Sequence, residues 1–270
     1  MKRAVVAVAV VLSGAMGVAQ GAPSGQVTSG AATQAAPAVQ TAPAPRPAAT
    51  AEQQLAAAQA KLMDWAQLGR YTAENAALPA PAAGEQRVVF YGDSITDGWG
   101  RRPNTGTFFP GKPYVNRGIS GQTTPQMVVR FHQDVVDLHP KVVLILAATN
   151  DVAENTGPMT PEMTMDNFRA MVEMARANDI KPVIASIPPA GDFPWKQGLD
   201  PAPKIRALNA RLEAWCKSEG IVWVDYYSAL ADEHGAMKPG LSIDGVHPTA
   251  AGYALMGPLA EAGIAKALGK

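Results

Sequence analysis

The sequence predicts an α/β fold in which a parallel β-sheet is covered on both faces by helices. Five short runs, Val88–Tyr91, Tyr114–Ile119, Val142–Ala147, Pro182–Ile187 and Ile221–Tyr226, are of strand length and mostly apolar rather than strictly alternating. That is the pattern of strands buried on both sides. Helical stretches near Pro125–Leu138, Pro161–Asn178, Ala202–Glu219 and Thr249–Leu268 lie between or after them. Regular strand–helix succession implies parallel pairing through right-handed crossovers. At 270 residues and 47% apolar content the chain also has enough material for a full core.

Not all of the chain belongs to that core. Residues 1–21 carry Lys2 and Arg3, an apolar run from Ala4 to Leu12, then small residues around Gly17–Ala19. This is the grammar of a cleaved secretory signal, and the expected location is secreted or periplasmic. The apolar run is broken by Ser13 and Gly14 and falls short of the roughly 20 residues that span a bilayer, so no stable membrane insertion is expected. No cysteine follows the cleavage region, which argues against a lipid anchor, and the single Cys216 has no partner for an internal disulfide. Residues 22–50 are mostly Ala, Pro, Thr, Gln and Gly, and read as a disordered linker.

Residues 51–80 carry Leu55, Leu62, Trp65, Leu68 and Tyr71 at helical spacing, predicting an N-terminal helix packed on the domain; "PAPAAG" then leads into the first strand. Charge is balanced at 23 basic and 23 acidic residues, and loss of Lys2 and Arg3 takes the basic count to 21. There is no electrostatic footprint for nucleic acid or an anionic membrane surface.

In open parallel sheets, sites form at the carboxyl ends of the strands. The first strand delivers Ser94 within "YGDSITDGW", the second "NRGISGQT", the third "AATND", and a late loop "DGVHP". Ser94 alone suits a helix N-cap as well as a nucleophile. A serine nucleophile needs an activating base, and His247, three positions after Asp244, is the candidate, with Asp244 holding the imidazole tautomer. Acyl transfer also needs preorganised donors for the developing oxyanion. Candidates are the backbone N–H of Ser94, that of Gly121 and the side-chain amide of Asn150. Gly121 also suits a simple turn, and Asn150 a cap.

Asp93 and Asp151 are expected to fix loop backbone. His132, His139 and His234 show no metal-ligand spacing, so no metal and no cofactor are expected. Cys216 follows Leu208, Leu212 and Trp215 on a helix and is assigned to the core. Two loops, Gly100–Pro113 and Pro188–Pro203, are candidate substrate walls; in the second, Phe193 and Trp195 are placed either to stack on a sugar ring or to cover the sheet edge.

Gly92-Asp93-Ser94-Ile95, Gly121 within Ser120-Gly121-Gln122-Thr123, Asn150-Asp151 and Asp244-Gly245-Val246-His247-Pro248 together resemble, in order and spacing, the blocks of the SGNH/GDSL hydrolases. The resemblance covers roughly Arg87 to Leu268, and the hydrolase domain is placed at residues 85–270. It implies a flavodoxin-like three-layer α/β/α sandwich with a five-stranded sheet in the order 2-1-3-4-5. It further implies a serine esterase with Ser94, Asp244 and His247 as triad and Ser94, Gly121 and Asn150 as oxyanion hole. Ala148 stands where the family's third block carries glycine, and its methyl is expected to narrow the acyl pocket.

The expected reaction is hydrolysis of carboxylic esters, short acyl groups foremost, on a small-molecule or carbohydrate ester. The same triad also serves lysophospholipases and acyltransferases. A secreted carbohydrate-binding module that keeps the fold without turnover is the reading from another class.

Overall fold

The computed structural model describes residues 50–270. The expected signal, and all of the expected linker except Thr50, lie outside the described residues. Five strands, β1 (Val88–Gly92), β2 (Tyr114–Gly118), β3 (Val142–Leu146), β4 (Lys181–Ala185) and β5 (Val222–Val224), form a wholly parallel sheet in the order 2-1-3-4-5. The helices in chain order are α1 (Ala51–Met63), α2 (Thr72–Ala77), α3 (Ser94–Gly98), α4 (Thr124–Asp134), α5 (Thr149–Val152), α6 (Pro161–Ala177), α7 (Pro201–Glu219), α8 (Tyr226–Leu230) and α9 (Ala250–Ala267).

The strands are apolar throughout because both faces are covered. Val89, Tyr91, Val143, Ile145 and Ile184 pack in one cluster with Met127 and Phe131 of α4, Phe168 and Met171 of α6, and Leu208 and Leu212 of α7. Alternate residues Val88, Phe90, Val142, Leu144 and Val183 pack in the other with Ile95 of α3, Tyr226 of α8, and Met256 and Ile264 of α9. Each large apolar side chain so buried contributes roughly 1.5–3 kcal/mol. Local chemistry starts the helices. The Thr160 hydroxyl accepts from Met163 N at 3.2 Å before Pro161 of α6, and the Thr249 hydroxyl accepts from Gly252 N at 3.3 Å before α9.

The segment before β1 departs from expectation. One continuous helix does not form, because the Asp64 carboxylate accepts from Leu68 N at 2.7 Å and Gly69 N at 2.9 Å, offering the backbone an alternative to the next helical turn. Helix α1 therefore ends at Met63, and a 3-10 turn, Leu68–Tyr71, leads into α2. Leu55 and Leu62 are 60% and 80% exposed, so they do not form the expected packing face, and Trp65 is 43% exposed. Tyr71 is fully buried and donates its hydroxyl to Gly118 O.

In the loop Gly100–Pro113, expected as a substrate wall, Phe108 and Phe109 join an aromatic group with Phe90 and Trp99, their ring centroids 5.1 and 4.9 Å from Phe90. Both rings are half-buried, and Phe109 also lines an open cavity with Thr105, Gly106 and Pro110.

At the carboxyl end of the sheet Gly92 of β1 lies beside Gly118 of β2, and α3 crosses directly over them. A Cβ on Gly118 would stand 2.1 Å from Asp97 N and 2.7 Å from Asp97 Cα. Backbone cannot yield as a flexible side chain does, so Gly118→Ala is expected to lift α3, and with it Ser94. Overpacking of this kind costs about 1–3 kcal/mol, or roughly 2–12 °C in Tm for a domain of this size. Thermal denaturation followed by circular dichroism checks it, and an unchanged Tm would contradict the close approach.

Candidate active site

β1 ends at Gly92, and Asp93 caps α3 by accepting from Ile95 N at 2.9 Å. Ser94 thus opens a helix that begins where the strand stops. The late loop folds on itself: Asp244 Oδ1 accepts from Val246 N at 3.0 Å and His247 N at 2.8 Å, while Ser242 Oγ accepts from Gly245 N at 2.7 Å. Ile243 N donates to His247 O at 2.8 Å. His247 Nδ1 lies 2.7 Å from Asp244 Oδ2, and its Nε2 lies 2.8 Å from Ser94 Oγ, across 153 positions of chain. Partial burial acts to raise the Asp244 pKa, but hydrogen bonds from the His247 backbone and ring and from Val246 N hold it below the ordinary carboxylate range. A hydroxyl so joined to an imidazole, with a carboxylate on the far ring nitrogen, is able to give up its proton as the oxygen forms a new bond.

After β2, Gly121 occupies a turn at φ +81°, in which Gln122 N donates to Ile119 O at 3.3 Å. That left-handed position favours glycine, and a Cβ there would project into open space. After β3, Asn150 sits in α5, almost fully buried, with its Nδ2 donating to Gln122 O at 3.0 Å. Its Oδ1 accepts from Asn155 Nδ2 at 2.7 Å, and Asn155 Oδ1 accepts from the Trp195 indole N–H at 3.0 Å. An amide nitrogen carries two hydrogens, so Asn150 retains one beyond its bond to Gln122.

Ala148, the residue that departs from the family block, stands at φ +84°, where a side chain costs roughly 1–2 kcal/mol. It is fully buried in the apolar cluster on the α4, α6 and α7 side, so its methyl lines no open wall. The expected narrowing of an acyl pocket through this residue is not what the structure has.

Phe193 is likewise corrected: it has no exposed surface and packs beneath Trp195, ring centroids 5.2 Å apart. Trp195 is 44% exposed, and its ring lies 6.1 Å from that of His247. Cys216 is buried among apolar side chains, and burial pushes its thiol up to about 12. Sequence reasoning missed Asn155, which pins the Asn150 amide. It also missed Arg130, fully buried on α4. The signal for Arg130 was present: with Met127, Phe131 and Asp134 it repeats at the spacing of the buried stripe, pairing with Asp134 one turn on.

A parallel sheet in this order, with a serine, a histidine and a carboxylate joined by hydrogen bonds at the strand ends, is the arrangement of an α/β protein able to activate a hydroxyl. The chain belongs to the GDSL-like lipase/acylhydrolase family, whose model matches residues 90–255, and is a carboxylic ester hydrolase. A GDSL-like lipase from Bacteroides thetaiotaomicron is 46% identical, with a TM-score of 0.71 over 75% of this chain and 98% of that one. An acetylxylan esterase from Geobacillus stearothermophilus is 26% identical over 199 residues, 63% of this chain and 90% of that protein. The match to a Bacillus subtilis lipoprotein, YqeF, is 35% identical but spans 78 residues, 28% of this chain and 32% of that protein. Among the described residues no helix is long and apolar enough to cross a membrane.

Two buried carboxylates flank the site. Asp93 is pushed up to about 7 by burial, against the hydrogen bond from Ile95 N and aided by the nearby Asp151 charge. Asp151 is pushed up to about 6 by burial, against its bond from Thr124 N at 2.9 Å. The folded pKa of Asp93 stands above its ordinary 3.8, so the folded state holds that proton more tightly. Its contribution to stability is fully present below about pH 4 and is lost as pH rises through about 7. Asp93→Asn is expected to remove that share, so its Tm falls less than that of wild type from pH 4 to 8. Parallel thermal melts measure the difference, and identical slopes would count against it.

Proposed function

We propose that this chain hydrolyses short-acyl esters, acetyl foremost, carried on carbohydrate, with Ser94 as nucleophile. The observation that carries the reading is the unbroken hydrogen-bonded series from Asp244 through His247 to Ser94, at 2.7 and 2.8 Å. Ser94 Oγ attacks the ester carbonyl while His247 Nε2 takes its proton, and ionised Asp244 stabilises the imidazolium. The carbonyl electron pair moves onto oxygen, where the N–H groups of Ser94 and Gly121 and the remaining Asn150 amide hydrogen meet the negative charge. Collapse breaks the bond to the alcohol, which leaves with the His247 proton. Water, deprotonated by His247, then opens the acyl-enzyme by the same route and releases the acid.

The acetyl preference is supported by the 26% likeness to an acetylxylan esterase. Export by the N-terminal segment belongs to the same proposal, since polymeric carbohydrate esters lie outside the cell.

A fluorophosphonate probe is expected to label the wild type and not Ser94→Ala, whose turnover of 4-nitrophenyl acetate falls by about 10⁴ or more. Asn150→Ala is expected to lose about 10²–10³ in kcat. Rates should fall from acetyl through longer 4-nitrophenyl esters. A folded wild type that resists the probe would favour a binding module, and rates rising with chain length would favour lipid deacylation.

A further inference from the structure

Beside the site lies an open cleft of about 870 Å³ whose lining includes Gly121, Asn155 and Trp195, together with Asp64, Trp65 and Gln67 from the segment between α1 and the 3-10 turn. That segment precedes the family-matched region, which begins at residue 90. It is nonetheless fastened to the loop after β2 and to the first turn of α4. Gln122 Nε2 donates to Ala66 O at 2.7 Å, Gln126 Nε2 donates to Trp65 O at 2.6 Å, and Ala66 is buried. The backbone of Trp65 is therefore fixed while its indole stays 43% exposed, and across the same lining Trp195 is 44% exposed. Two large apolar side chains held open to water on one cleft are surfaces waiting for a partner.

Volume and chemistry together select that partner. An acetyl group fills only a small fraction of a space in the upper part of the range for ligand sites, so the remainder receives the alcohol half of the ester or a long acyl chain. A long chain needs a continuous apolar wall. Here, beside the tryptophans, Ala60 and Gly121, the lining residues carry amides, hydroxyls and a carboxylate, from Gln67, Gln126, Asn155, Ser120, Thr156 and Asp64. Aromatic faces for C–H surfaces, with polar groups for hydroxyls, suit sugar rings. We propose that this cleft is the leaving-group subsite for an acylated oligosaccharide and that Trp65, supplied by the N-terminal segment, is a specificity-determining residue. The proposal rests on the esterase reading above.

The test compares partly acetylated xylotetraose, 4-nitrophenyl acetate and lysophosphatidylcholine with wild type, Trp65→Ala and Trp65→Phe. In Trp65→Ala the ratio of kcat/KM for the acetylated tetraose over that for 4-nitrophenyl acetate is expected to fall about tenfold, through KM rather than kcat. Trp65→Phe should recover most of the loss, and a melt of each variant reports folding. Isothermal titration of Ser94→Ala with the tetraose should give binding that Ser94→Ala combined with Trp65→Ala weakens to a similar degree. An unchanged ratio, or a loss confined to lysophosphatidylcholine, overturns the assignment of the cleft while leaving ester hydrolysis intact. Wild type inert toward 4-nitrophenyl acetate overturns the esterase reading itself.

Discussion

The site depends on one buried guanidinium. Arg130 is wholly inside the protein, its charge lying 4.2 Å from the centre of the Tyr91 ring. Its donors reach Gly92 O at 2.9 Å, Arg117 O at 2.9 Å, Asp134 Oδ2 at 3.1 Å and the Gln122 side-chain oxygen. A buried charge is costly unless it is paired and its donors are satisfied. Here the satisfying acceptors are the final carbonyl of β1, a carbonyl near the end of β2 and the loop that follows. One residue thereby fixes the relative position of the strand that presents Ser94 and the turn that presents Gly121.

From Gln122 the connections continue outward. Its carbonyl receives the Asn150 amide, and its own amide holds Ala66. Asn150 is fixed in turn by Asn155, and Asn155 by Trp195. The polar groups after β2, β3 and β4 are therefore parts of one hydrogen-bonded network. Such networks specify a unique arrangement because a partly satisfied member would leave a buried polar atom without a partner.

Much of this was legible in the sequence. Strand and helix order follow from apolar runs and their spacing, and Ser94, Gly121, Asn150, Asp244 and His247 lie in short local blocks whose turns are set by neighbouring residues. What could not be read depends on three-dimensional neighbours. Phe193 and Trp195 look alike as aromatics in a Pro-rich loop, yet one packs under the other and only the second meets solvent. Leu55 and Leu62 follow helical period, yet both stay exposed on a helix that ends at Met63, where Asp64 turns the chain toward the 3-10 segment. Ala148 looked like a pocket wall because its φ of +84°, and the inward direction this gives its methyl, leave no local trace.

The self-clipped loop that carries both Asp244 and His247 has a mechanical consequence. Imidazole and hydroxyl ride on separate elements, so their separation is set by how the late loop meets the end of β1. The spacing of imidazole and carboxylate is set within the loop itself, where its own amides close on Asp244 Oδ1 and Ser242 Oγ. The two distances therefore answer to different parts of the chain, one to long-range packing and the other to the short arc from Ser242 to His247.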